Sequence, residues 1–138
     1  MTVSGVNSIA VIIAALAGFG FGAIWYMVLG GVWLRAIGKT EGDFKQNSGL
    51  AKALPFIIAI VALLVMATML AGIMAHLGSY TVRAGVISGA LVWLGFVITT
   101  MGVNHAFGHA KPMLTVIDGG HWLAVLLIQG AVIGAFGL

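Results

Sequence analysis

Asp118 and His121 are the residues of this chain best placed to do chemistry. They stand three apart, so on a helix they share a face. An ionisable group inside an apolar run is a functional suspect, because insertion scales set its cost at roughly 2.5–3.5 kcal/mol. Asp118 is the one acid within any long apolar run, and Val125 and Gln129 continue its face. The preceding run carries Thr100 and Asn104 at spacing four, with His105 on the neighbouring face and His109, at the same spacing from it, in the loop just beyond the run. An earlier run offers Trp25 and Tyr26. Three chemistries suit such a set. A buried hydrogen-bond network would fix helix register, with Asn104 donating to Asp118 and His121 capping the carboxylate; such interhelical bonds are worth about 1 kcal/mol or less. An Asp–His pair also relays a proton, or holds a cation or small polar ligand. Finally, His105 and His109 have the spacing of two metal ligands on one helix face, which Asp118 and His121 would complete to four. Paired histidines on different helices also ligate haem. None of these patterns favours a particular cofactor.

The rest of the chain shows what must position these groups. Of 138 residues, 62% are hydrophobic and 7% charged, and the mean hydropathy is +1.19. A soluble domain is about 25% charged, so too few charges remain here to cover a surface. The same figures exclude a disordered chain. Cysteine is absent, which excludes disulfides, thiolate metal sites and thiol redox chemistry. The net charge of +3 marks no nucleic-acid surface, because the basic residues gather in one loop. A helix needs about 20 apolar residues to cross roughly 30 Å of hydrocarbon. Four runs qualify, at about 7–29, 54–77, 82–107 and 114–138. They predict an all-α integral membrane four-helix bundle, one transmembrane domain over 1–138.

Arg35, Lys39, Lys45 and Lys52 lie in the connection of about 30–53 and Lys111 in that of 108–113, against Arg83 alone on the other side. This places both loops in the cytoplasm and both termini outside, in the periplasm if the membrane is a bacterial inner membrane. Ala15-Leu16-Ala17 resembles a cleavage site, but the apolar run continues past it, which predicts an uncleaved first helix. Thr40-Glu41-Gly42-Asp43 reads as a capped start to a surface helix over about 41–46. Pro55 fits the first turn of the second span, where its missing N–H costs nothing.

Counting from Leu114 at 1.5 Å per residue, Asp118 lies about 6 Å into the inner leaflet. The short loop before it makes the third and fourth spans antiparallel neighbours. Trp25, Tyr26, Thr100, Asn104, His105, Asp118 and His121 are therefore expected to share one depth. His76, at the outer end of the second span, reads as an interfacial anchor. Small residues let membrane helices approach closely. Gly18 with Gly22, Gly85 with Gly89, and Gly130 with Gly134 form GxxxG pairs, and Ala67, Ala71 and Ala75 a ladder. The stripes argue for a tight bundle and are read first as packing within the chain, with at least one left to serve a homo-oligomer.

Enzyme signatures are missing: the chain has no GxSxG, P-loop or HExxH pattern. Gly18 to Gly22 is glycine-rich but lies within a span, and Asp118 has no second carboxylate for glycosidic chemistry.

Gly22-Ala23-Ile24-Trp25-Tyr26, followed by Gly30-Gly31-Val32-Trp33, resembles the first-helix signature of the bacterial membrane family named domain of unknown function 1761. Ile37-Gly38-Lys39-Thr40-Glu41-Gly42-Asp43 resembles its loop after that helix. Trp93-Leu94-Gly95-Phe96 with Thr99, Thr100 and Asn104 resembles its third helix, and Ile117-Asp118 the start of its fourth. The resemblance covers nearly the whole chain in order. It implies four transmembrane helices in one small domain and carries no catalytic role. Its matching positions include Trp25, Tyr26, Asn104 and Asp118.

The expectation is a non-enzymatic, multi-pass inner-membrane protein, a homo-oligomer with a polar inner-leaflet site for a proton, cation or small polar ligand. Two alternatives stay open. One is an accessory subunit packed against other membrane subunits. The other is a metal- or haem-binding redox protein.

Overall fold

The computed structural model describes residues 2–3, 5–45 and 48–137. Four helices are long and apolar enough to cross a membrane. The first, α1 (Ser8–Ile37), is capped by Asn7, whose side chain accepts from the N–H groups of Ile9 and Ala10. It runs straight through Gly30-Gly31 and stops at Gly38, which adopts φ 71° and ends the helix on the carbonyls of Arg35 and Leu34. The expected end near 29 is thus too early. A glycine pair inside a helix costs only about 1 kcal/mol per residue, whereas a left-handed glycine terminates it.

A short helix, α2 (Glu41–Lys45), follows. The Asp43 carboxylate reaches back to the backbone N–H of Thr40 at 2.8 Å and to its hydroxyl at 3.2 Å. Gln46, the expected last residue of this helix, lies outside the described residues. The Thr40 N–H, and then its hydroxyl, hold the Asp43 carboxyl below its ordinary 3.8. The tie is therefore complete above the ordinary carboxylate range and lost as pH falls through the lowered pKa. The Thr40 amide resonance is expected to shift only in that acid window, and an Asp43→Asn variant to show no such shift.

Helix α3 (Leu50–Leu77) begins four residues before the predicted start. Pro55 consequently sits in its second turn, where it leaves a backbone carbonyl without its helical partner. The third span is α4 (Val82–Val92), a π turn at Trp93–Val97 and α5 (Ile98–Phe107). The Thr81 hydroxyl caps α4. Around the π turn, the Thr99 and Thr100 hydroxyls donate to the carbonyls of Gly95 and Phe96. The fourth span, α6 (Pro112–Phe136), opens with proline at its first position, two residues earlier than predicted. Ahead of α1, β1 (Thr2–Val3) and β2 (Val6–Asn7) pair antiparallel as a two-residue hairpin. The Tyr80 hydroxyl donates to the Gly5 carbonyl at 2.6 Å, tying this turn to the α3–α4 connection.

Helix α6 is the centre of the bundle, packed against α4 on one side and α1 on the other. Glycines set the α4–α6 distance. A methyl group at Gly85 would run into the Gly130 carbonyl, one at Gly89 into that of Leu126, and one at Gly134 into that of Thr81. Gly18 of α1 meets Leu63 and Val125. Around these contacts Ala14, Ala67, Leu70, Ala71, Met74 and Ile133 form the core. The bundle is tight at the hairpin end and open at the other. Along α3 nothing before Leu63 is buried, and α5 buries no residue. One groove opens between α1 and α3 and another between α3 and the π turn, and Trp122 of α6 lines both.

Candidate functional site

Two tryptophans grip the turn of α6 that carries Asp118. From α1, the Trp25 indole N–H donates to the Ile117 carbonyl at 3.1 Å. From the π turn, the Trp93 indole N–H donates to the Gly119 carbonyl at 2.8 Å. A glycine admits the first of them: a methyl at Gly120 would press on the Trp25 ring, while one at Gly119 would run into Ile98 of α5. The π turn inserts an extra residue, and it sits at the point where Trp93 reaches α6.

Held in this way, Asp118 accepts a hydrogen bond from the Tyr26 hydroxyl at 2.6 Å. His121, one turn further along α6, is 7% exposed. Its ring centre lies 5.0 Å from Tyr26 and 4.5 Å from Trp122, and it stacks on Phe21 at 6.4 Å. Gly22 makes room for it, since a Cβ there would stand 2.7 Å from His121 Nε2. The other ring nitrogen, Nδ1, is buried and finds no hydrogen-bond partner among the described residues. The result is a carboxylate, a phenol and an imidazole in contact, enclosed by aromatic rings. Such a set can hold a proton or a small cation, or bond a polar ligand that reaches the imidazole.

Trp25, Tyr26, Asp118 and His121 come together as one site. Thr100, Asn104 and His105 do not join them. Gly85 faces Gly130 and Gly89 faces Leu126; continued along the pair, this register sets Asp118 opposite the π turn rather than opposite Asn104. Thr100 and Asn104 line the other groove, with the Thr100 hydroxyl turned onto its own helix. Asn104 therefore gives Asp118 no hydrogen bond. His105 Nδ1 is bonded to the Thr115 hydroxyl at 2.8 Å. His109 is exposed in the connection at φ 54°. Among the described residues no three His, Asp or Glu side chains come together as a metal site. His105, His109, Asp118 and His121 thus form no ligand set, because the two α5-side histidines sit below the level of Asp118.

Sequence reading missed Trp93 and Trp122, and it placed Gln129 on the Asp118–His121 face without giving it a role. Gln129 continues the His121 face at spacing eight, which was the available signal. It is 0% exposed, donates to the Leu63 carbonyl at 3.1 Å, and leaves Oε1 without a partner among the described residues. A leucine there removes an orphaned acceptor together with one modest bond, and replacing a polar group by one of similar shape is nearly neutral. Gln129→Leu is expected to change the unfolding free energy by no more than about 1 kcal/mol in either direction, whereas Gln129→Ala, which opens a cavity, lowers it; thermal unfolding in detergent checks both.

Neither the curated proteins nor the solved structures yield a match. The family described as protein of unknown function (DUF1761) matches residues 9–134, nearly the whole chain, and the protein belongs to that family.

Proposed function

We propose that this protein is a non-enzymatic membrane protein whose Tyr26–Asp118–His121 site takes up a proton or small cation. One observation carries the reading: the single acid of the spans is joined to Tyr26 and lies one turn from a buried imidazole with an unpartnered nitrogen. A network that served helix register alone would satisfy both ring nitrogens. The gathering of Arg35, Lys39, Lys45, Lys52 and Lys111 at the open end supports a cytoplasmic placement of that end, hence an inner-leaflet site. Four helices enclose little space, so conduction would need several copies. The largely exposed α5, which has no fully buried residue, supports such an assembly. The same face equally suits a larger complex in which the chain is an accessory subunit.

The test is ion flux into liposomes holding the purified protein, followed with a pH-sensitive dye under an imposed potential. The wild type is expected to pass protons or a monovalent cation. Asp118→Asn keeps the shape and an acceptor for Tyr26 but loses the charge, and is expected to reduce flux at least tenfold at unchanged native mass. Equal flux in the two proteins would leave the cluster a structural network.

A further inference from the structure

We infer that the groove between α1 and α3 is a binding site for an anionic phospholipid, with an acyl chain along the groove and the phosphate at its basic rim. The groove has a volume of about 680 Å³, within the roughly 300–1,000 Å³ of small-molecule sites. Its wall on α1 runs from Gly18 to Leu34, roughly 24 Å at 1.5 Å per residue. Phe19 and Phe56 line it, and the polar groups of the wall are those of Tyr26, Trp33, His121 and Trp122. The lower half of α3 buries nothing against the bundle, with Leu54, Phe56 and Ile58 exposed. In a bilayer the material that fills an apolar cleft between spans is lipid.

The rim supplies the head-group chemistry. Arg35 follows Leu34, the last lining residue of α1, and its guanidinium lies back over Gly31. Lys111 arrives from the α5–α6 connection and donates to the Arg35 backbone carbonyl at 3.1 Å. Trp33, a wall residue, packs on Phe44 of α2 at 6.1 Å, and the Lys39 ammonium stands 5.6 Å over the Phe44 ring. Lys52 precedes the wall residue Pro55 by three positions on α3. Of the two acids nearby, Asp43 is turned onto Thr40 and Glu41 is exposed. Four cations, Arg35, Lys39, Lys52 and Lys111, thus stand beside or next in sequence to the residues at the lower end of an apolar groove, the kind of basic rim that holds acidic head groups between spans. These cations lie outside the Tyr26–Asp118–His121 set, although Tyr26 and His121 form part of the groove wall, so it is the rim variants that test the lipid inference apart from the ion-uptake reading.

The experiment is native mass spectrometry of the full chain in detergent, titrated with phosphatidylglycerol, phosphatidylcholine, or glycerol phosphate without tails. The wild type is expected to retain one phosphatidylglycerol per chain, at least tenfold more tightly than phosphatidylcholine, and no glycerol phosphate. The triple variant Arg35→Gln, Lys39→Gln, Lys111→Gln is expected to lose the preference, at about fivefold for each charge removed. Ala59→Trp, which fills the groove from α3, is expected to lose both lipids while the rim stays intact. Equal retention of the two lipids by the wild type, an unchanged preference in the triple variant, or retention by Ala59→Trp would each overturn the inference. Tail-free binding would also do so, by making the rim a phosphate site.

Discussion

Gly130→Leu is expected to abolish the native bundle. The α4–α6 pair packs backbone to backbone: a methyl at position 130 would already collide with the Gly85 carbonyl, and one at Gly85 with that of Gly130. A backbone carbonyl has no rotamer into which it can retreat, so the helices must separate. Overpacking ordinarily costs about 1–3 kcal/mol, and more where nothing yields. Separation here would also take Trp93 away from Gly119 and undo one side of the Asp118 clamp. The check is thermal unfolding in detergent, with a disulfide trap between cysteines introduced in the upper turns of α4 and α6. Wild-type spacing should allow the trap to close; the Gly130→Leu chain should neither close it nor show a cooperative transition. Gly20, whose added Cβ would meet nothing within 4 Å, is the control, and Gly20→Ala should unfold like the wild type.

The second large effect is expected at Gly22. A valine there drives its Cβ into His121 Nε2, and the ring cannot step aside between Tyr26, Phe21 and Trp122. Gly22→Val is therefore expected to lower stability by about 1–3 kcal/mol and to abolish ion flux. Shortening the neighbour should restore part of the loss. The double variant Gly22→Val, His121→Ala is expected to be more stable than the sum of the single changes, by an interaction energy in the range of roughly 0.5–3 kcal/mol found for residues in contact. Additive effects would mean that the valine acts elsewhere on α1. Flux should stay lost in the double variant, because the imidazole is gone.

Much of this architecture was legible in the sequence, and the reason is physical. The bilayer fixes span length, so four apolar runs announced four helices within a few residues. The ends misplaced were those of α1 and α3 at the loop side. There the hydrophobic run stops before the helix does, and the stop signal is a left-handed glycine, Gly38, rather than the pair Gly30-Gly31. Within the site, Trp25, Tyr26, Asp118 and His121 were found because an ionisable face and a helix-end aromatic pair are visible one helix at a time. The failure was in register. Counting residues from the α5–α6 loop started the fourth span at Leu114, whereas α6 begins at Pro112, and the two extra residues, about 3 Å at 1.5 Å each, lift Asp118 above Asn104 and His105. Trp93 was missed because its value lies in a carbonyl on another helix. The grooves were invisible because they come from where α3 fails to pack, and an apolar run reads alike whether it faces protein or lipid.

The most direct measurement on the Tyr26–Asp118–His121 site is the infrared difference spectrum of the reconstituted protein on acidification and on addition of a monovalent cation. If Asp118 is a loadable site, one carboxyl band responds to acid or to the cation in the wild type and disappears in Asp118→Asn. In Tyr26→Phe, which removes the 2.6 Å hydrogen bond, the same band should persist at a shifted frequency. If the spectra of the wild type and Asp118→Asn respond identically, Asp118 exchanges nothing, and the proposal that the cluster takes up an ion is contradicted.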